Sequence, residues 1–123
     1  MKNIIIDLDG TITIDEKDKE YYEKEVNLGV VKKLKIYKKN GFKIIVFTAR
    51  NMNTFKGDLA KISKFTLPII EDWLQKNDVP YDQIIIGKPW CGFDGFYVDD
   101  KSVRPDEFVN LSYEEIGQLI KWF

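Results

Sequence analysis

The chain has 123 residues, enough for one domain, and its 44% hydrophobic and 32% charged residues are those of an ordinary globular protein with a core. Nineteen basic against twenty acidic residues leave a net charge of −1, which gives no pull toward nucleic acid or an anionic membrane. There is no histidine and a single cysteine, Cys91, so Ser-His-Asp and Cys-His catalysis, His-ligated metals, intramolecular disulfides and CxxC centres are all excluded.

No apolar run approaches the length of a membrane span, and Met1-Lys2-Asn3 leads straight into Ile4-Ile5-Ile6 and Asp7 with no room for a signal peptide, so a cytoplasmic protein is expected. Residues 3–8 are β-branched and nearly all apolar, as in a strand covered on both faces. A polar, acidic stretch follows over residues 11–25. Val30, Val31, Leu34 and Tyr37 recur at helical spacing and predict a helix over 28–39, stopped by Asn40-Gly41. Lys43 to Phe47 reads as a second buried strand, and residues 51–66, with weak periodicity, as a loop with room for one helical turn.

Pro68 suits the first turn of a helix reaching Gln75, with Ile69, Ile70, Trp73 and Leu74 inward. Ile84-Ile85-Ile86 predicts a third strand and Gly95-Phe96-Tyr97-Val98 a fourth. Ser112-Tyr113-Glu114-Glu115 is a capping box opening a last helix, with Ile116, Leu119, Ile120 and Phe123 on one face and Trp122 in packing. Strands alternating with helices imply an α/β fold, a doubly wound, mainly parallel sheet with helices on both faces, in a single domain over 1–123. Ligands of such sheets bind beyond the carboxyl ends of the strands.

Those ends carry a polar set. The first strand runs into Asp7-Leu8-Asp9-Gly10-Thr11, where an Asp-x-Asp spacing aims one carboxylate at the crevice and Gly10 lets the chain turn to bring back the second. The second runs into Thr48-Ala49-Arg50-Asn51, the third into Gly87-Lys88-Pro89-Trp90 and the fourth into Asp99-Asp100. Taken singly, Thr48 reads as a turn residue, Lys88 as one of many surface lysines, and the acidic pair as a solvated loop. Two adjacent carboxylates otherwise call for a hard divalent cation.

Together, in this order, they resemble the four motifs of the haloacid dehalogenase-like phosphohydrolase superfamily. The tract from Ile44 to Asp58, with the Gly87-to-Lys101 arrangement, is similar to small bacterial phosphatases of capsular and surface polysaccharide biosynthesis. The resemblance implies a Mg2+-dependent phosphomonoesterase acting on a sugar or polyol phosphate. Asp7 would be the nucleophile forming an aspartyl-phosphate, and Asp9 the general acid and base. Thr48 would donate to a phosphoryl oxygen, and Lys88 would neutralise the transferring group. Asp7, the backbone carbonyl of Asp9, and Asp99 with Asp100 would hold Mg2+. The other members of its substrate-binding set are Arg50, Asn51 and Arg104, the two arginines because a planar guanidinium fork suits phosphate.

The chain is too short for the separate cap domain of larger superfamily members, so it is expected to be capless, with residues 12–25, the 51–66 loop and the Trp90–Phe93 turn as pocket walls. The expected partner is a small phosphorylated molecule, and a homo-oligomer completing the lid is plausible; no nucleic acid and no membrane are expected. A nucleotidase or a phosphoprotein phosphatase is the alternative within the superfamily. A signalling receiver domain uses the same residue types but places its acidic pair first and its phosphoacceptor later, the reverse of the order here.

Overall fold

The computed structural model describes residues 2–16 and 18–121. The chain divides into two compact units, Met1–Trp90 and Cys91–Phe123. Trp122 and Phe123, expected to pack from the last helix, lie outside the described residues.

The first unit is α/β. β1 (Asn3–Ile6), β4 (Lys43–Thr48) and β5 (Gln83–Ile86) form a parallel sheet in the order β1-β4-β5, with Ile5 opposite Ile45 and Phe47 opposite Ile85. Both crossovers step the same way along the sheet, so right-handed connections lay their helices on one face. Exposure agrees in the outer strands: Ile6, Ile44, Val46 and Thr48 on that face are buried, whereas on the other Ile5 and Ile85 are 65% and 38% exposed and only Ile45, in the central strand between them, is buried. Within this unit the sheet is therefore wound on one face.

α1 (Leu28–Lys39) has the predicted bounds, because both ends are written locally: the Asn27 side chain accepts the N–H of Val30, and Gly41 takes the left-handed φ of +89° after the Asn40 cap. Between β1 and α1 the acidic stretch makes an unexpected ribbon, in which β2 (Thr13–Ile14) pairs antiparallel with β3 (Glu25–Val26).

The second half of the segment expected as a loop is helical, whereas its first half, residues 51–58, is turn and irregular backbone. Asp58 caps α2 (Leu59–Lys61) by accepting the Lys61 N–H, and helical backbone continues through Ile62–Thr66 into α3 (Leu67–Lys76). The turn just ahead of Pro68 is wide: the Leu67 N–H bonds to Ile62, five residues back. Proline lacks an N–H and its ring collides with the carbonyl four residues earlier, so a widened turn is the form in which a helix accommodates it. Ile62, Thr66, Ile70, Trp73 and Leu74 make the buried stripe.

In the second unit, α4 (Pro105–Asn110) buries Phe108. Ser112 and Glu115 form the predicted capping box of α5 (Tyr113–Ile120), each side chain accepting the other's backbone N–H, at 3.1 and 2.9 Å. The fourth strand is not formed. Residues 95–98 have no strand pairing among the described residues, and Phe96 and Val98 are 80% and 87% exposed. A strand exists only through its ladder, and Gly95 opens this segment with the poorest of strand formers. No helix among the described residues is long and apolar enough to cross a membrane.

Candidate active site

Because β1, β4 and β5 are parallel, the residues that follow them share one edge of the sheet. Asp7 directly follows β1, Thr48 ends β4 and Lys88 comes two residues after β5. Asp7 and Lys88 meet there, with Nζ 3.5 Å from Oδ1. The other Asp7 oxygen accepts the Thr11 hydroxyl at 3.1 Å. Burial pushes the Asp7 carboxyl above its ordinary range, and the Lys88 charge and the Thr11 hydrogen bond only partly offset it.

Thr48 is buried. Its hydroxyl accepts the Arg50 N–H at 3.1 Å, which leaves the hydroxyl proton as its donor function. Its carbonyl accepts the Lys88 N–H at 3.1 Å, which fixes the lysine's backbone beside the end of β4.

After β1 the chain reverses in a type II turn: Asp9 sits at φ −75°, ψ 123° and Gly10 at φ 83°, ψ 0°, the left-handed position that favours glycine. The Gly10 N–H donates to the Thr13 hydroxyl, which in turn donates to Asp15. This turn brings Asp9 back over the site. There it is gripped by Arg50 through Nε to Oδ2 at 2.9 Å and Nη2 to Oδ1 at 2.7 Å, and by Lys24 Nζ at 3.0 Å. Burial pushes the Asp9 carboxyl up, but the hydrogen bonds and charges of Arg50 and Lys24 outweigh it and hold Asp9 below its ordinary range. Lys24 also pairs with Asp15 at 2.8 Å and is held above its ordinary range against the opposing effect of burial. The Tyr21 ring covers the Arg50 guanidinium at 4.0 Å, and the Trp73 indole N–H donates to the Lys24 carbonyl, fastening this segment to α3.

Two residues expected to contact substrate have partners within the chain. The Arg50 side chain is fully buried and both of its strong hydrogen bonds go to Asp9. Asn51 sits at φ 62°, accepts the Thr66 hydroxyl at 2.7 Å and donates to Thr54, so it ties the turn after β4 to the helix beyond. Asp99, Asp100 and Arg104 belong to the second unit. Asp99 and Asp100 are exposed there, and the Lys101 N–H, donating to Asp99 at 2.9 Å, holds that carboxyl below its ordinary range. Arg104 precedes α4, where its N–H donates to Glu107. Among the described residues no group of three or more acidic or cysteine side chains is gathered as a metal centre.

Sequence reasoning missed Thr11 as a partner of Asp7, and Lys24 and Tyr21 as partners of the Asp9–Arg50 pair. Thr11 was legible at four residues from Asp7, whereas Lys24 lies fifteen residues from Asp9 with nothing local to distinguish it.

Fold and site together define a small α/β protein with a polar cluster at the carboxyl edge of a parallel sheet. A crystal structure of an MCSG target from Vibrio cholerae is similar at 51% identity and a TM-score of 0.94, over 98% of each chain, and the chain belongs to the same family as that protein. Two solved structures of the Pnkp1/Rnl/Hen1 complex, one described as an RNA repair complex, share the fold at 23% and 19% identity with TM-scores of 0.53 and 0.51. They are matched over 89% and 98% of this chain but only 34% and 30% of theirs, so the chain spans about a third of those neighbours. No protein-family model and no curated protein matches the chain.

Proposed function

We propose that the protein is a capless phosphohydrolase of the haloacid dehalogenase-like superfamily, with that superfamily's doubly wound sheet, and that it removes phosphate from a sugar or polyol phosphate of surface polysaccharide biosynthesis. The observation that carries this reading is the Asp7–Lys88 pair at the carboxyl edge, where the Lys88 backbone N–H also bonds to the Thr48 carbonyl. A carboxylate attacking phosphorus needs a fixed positive charge to meet an anionic substrate, and Lys88 is 3.5 Å from it.

An Asp7 oxygen attacks phosphorus in line, the bond from phosphorus to the alcohol oxygen breaks, and the alcohol leaves with a proton supplied by Asp9. Water then attacks phosphorus, the bond from phosphorus to the Asp7 oxygen breaks and returns the Asp7 carboxylate, Asp9 takes the proton of the water, and inorganic phosphate departs. The grip of Arg50 and Lys24 keeps Asp9 anionic at rest, the form that accepts a proton from water. For the donating half, Asp9 first takes a proton from solvent water or from a substrate monoanion and passes that proton to the leaving alcohol. Thr48 donates to a phosphoryl oxygen, and Lys88 keeps Asp7 ionised.

The donor chemistry fits Mg2+, which prefers carboxylate and carbonyl oxygens and retains waters. Asp7 and the Asp9 carbonyl would hold it, and it would offset the repulsion between carboxylate and phosphate.

The test is phosphate release with and without Mg2+ across sugar phosphates, polyol phosphates, nucleotides, phosphopeptides and an oligoribonucleotide with a terminal phosphate. The last arm answers the fold likeness to chains of an RNA repair complex. Release from a sugar or polyol phosphate, lost in Asp7→Asn, supports the reading; release from none of these esters overturns it. A stable phosphoprotein after acetyl phosphate treatment, with no phosphate released, would point to a receiver domain instead.

A further inference from the structure

The ribbon between β1 and α1 closes a ring of hydrogen bonds on the second acid of the Asp-x-Asp turn. The register that sets Ile14 opposite Glu25 brings Asp15 and Lys24 together one step beyond the paired residues. The Gly10 N–H donates to Thr13 Oγ1 at 3.1 Å, and that hydroxyl donates to Asp15 Oδ1 at 3.0 Å. Lys24 Nζ donates to the same Asp15 oxygen at 2.8 Å and to Asp9 Oδ1 at 3.0 Å. Asp9 and Gly10 are neighbours in the chain, so the ring is complete. A lysine left to itself keeps its ammonium in water. This side chain is only 10% exposed, its ammonium lies between two carboxylates, and its carbonyl is fastened by the Trp73 indole.

The two Asp9 oxygens are not equivalent. A carboxylate oxygen accepts one hydrogen bond on each of its lone pairs. Oδ1 accepts from Arg50 Nη2 at 2.7 Å and from Lys24, which fills it, whereas among the described residues Oδ2 accepts from Arg50 Nε alone, at 2.9 Å. Arg50 cannot create this difference by itself, because its fork takes one lone pair of each oxygen. The difference is the contribution of Lys24. A proton on Oδ1 would require one of two cationic donors to withdraw, whereas Oδ2 takes one with every partner in place.

We propose that Lys24 is a positioning residue that commits Asp9 to a single working oxygen, Oδ2. The role rests on the phosphatase reading, since it serves that reaction. The proton on Oδ2 passes to the alcohol oxygen as the bond from that oxygen to phosphorus breaks, and Asp9 is left as a carboxylate. In the second half Oδ2 takes the proton of the attacking water while the Asp7 carboxylate is released. Lys24 transfers no proton in either half. It keeps Oδ1 occupied, so that the same open lone pair serves both steps, and Asp15, the second carboxylate on its ammonium, holds it there.

The test is how strongly the rate depends on the leaving group. An alcohol leaves with a proton, whereas p-nitrophenolate leaves without one, so only the first needs a well-placed acid. In Lys24→Met, kcat/KM should fall about 10²-fold for the sugar or polyol phosphate that wild type cleaves best, the cost of a small misplacement of a reacting group. With p-nitrophenyl phosphate it should stay close to wild type. Lys24→Arg, able to bridge both carboxylates, should restore most of the loss. Asp15→Asn, at a half-exposed side chain, should show the same selective loss in weaker form, and it decides the matter if Lys24→Met does not fold. An active wild type whose variants lose both esters in equal measure, or neither, overturns the role of Lys24 and leaves the phosphatase reading standing. A wild type that releases phosphate from no ester overturns that reading and this role with it.

Discussion

Arg50 holds Asp9 in a two-pronged grip, Nε to Oδ2 at 2.9 Å and Nη2 to Oδ1 at 2.7 Å, with the guanidinium fully buried under Tyr21. The third guanidinium nitrogen, Nη1, is buried without a hydrogen-bond partner among the described residues. Such a pair links the turn after β1 to the turn after β4 and fixes where the second carboxylate of the Asp-x-Asp motif stands. Its energetic weight lies in the asymmetry between having both partners and having one.

Removing a single partner of a buried ion pair costs about 3–5 kcal/mol, because the other charge is left without compensation. Arg50→Ala is therefore expected to lower unfolding free energy by about 3 kcal/mol in urea titration, a large part of a typical total of about 5–15 kcal/mol. Arg50→Lys should recover part of the loss but not the two-pronged geometry. A residue serving only as a substrate contact would change KM and leave the urea midpoint where it was.

The pH dependence of the same pair has a definite sign. The folded-state pKa of Asp9 is depressed, so its contribution to stability is present above the unfolded value of about 3.9 and is lost as pH falls through the folded value. The difference in Tm between wild type and Asp9→Asn should accordingly be full at pH 5–7 and shrink below about pH 4. A difference that stays constant down to pH 2 would show that the Asp9 charge contributes nothing to folding.

Lys88 acts on Asp7 in the opposite setting, where burial already raises the carboxyl and the lysine charge pulls it back. In Lys88→Met the carboxyl should rise further, moving the acid limb of the kcat/KM profile to higher pH. Loss of the charge facing the phosphoryl group should also lower kcat by about 10²–10³-fold, the usual effect of removing one preorganised electrostatic contact. An acid limb that does not move would show that the 3.5 Å approach has no bearing on Asp7.

What could be read from sequence was what is written locally. α1 carries its cap at Asn27 and its stop at Gly41, and Asp7-Leu8-Asp9-Gly10 encodes a strand end and a turn, so these have their expected places. The helical run ahead of Pro68 was hidden because its buried stripe uses Thr66 and leaves Phe65 exposed, which breaks the apolar pattern. The role of Arg50 was hidden for a different reason. A planar fork suits phosphate and carboxylate equally, and the partner that took it lies forty-one residues away. Residues 95–98 look like a strand in composition, yet pairing depends on a neighbour that composition does not specify.

The turn at Gly10 gives a test of geometry as distinct from charge. At φ +83° an alanine is strained by about 1–2 kcal/mol, while its Cβ would meet nothing closer than an Asp15 oxygen at 3.6 Å, an ordinary contact. The cost of Gly10→Ala is thus conformational, and Gly10→Asn, which tolerates left-handed backbone better, should recover part of it. Because the turn sets the approach of Asp9 to the site, kcat of the alanine variant should fall by more than its stability loss implies when activity is measured well below its Tm. An alanine variant as stable as wild type would mean that the backbone there does not hold the left-handed turn on which the placement of Asp9 depends.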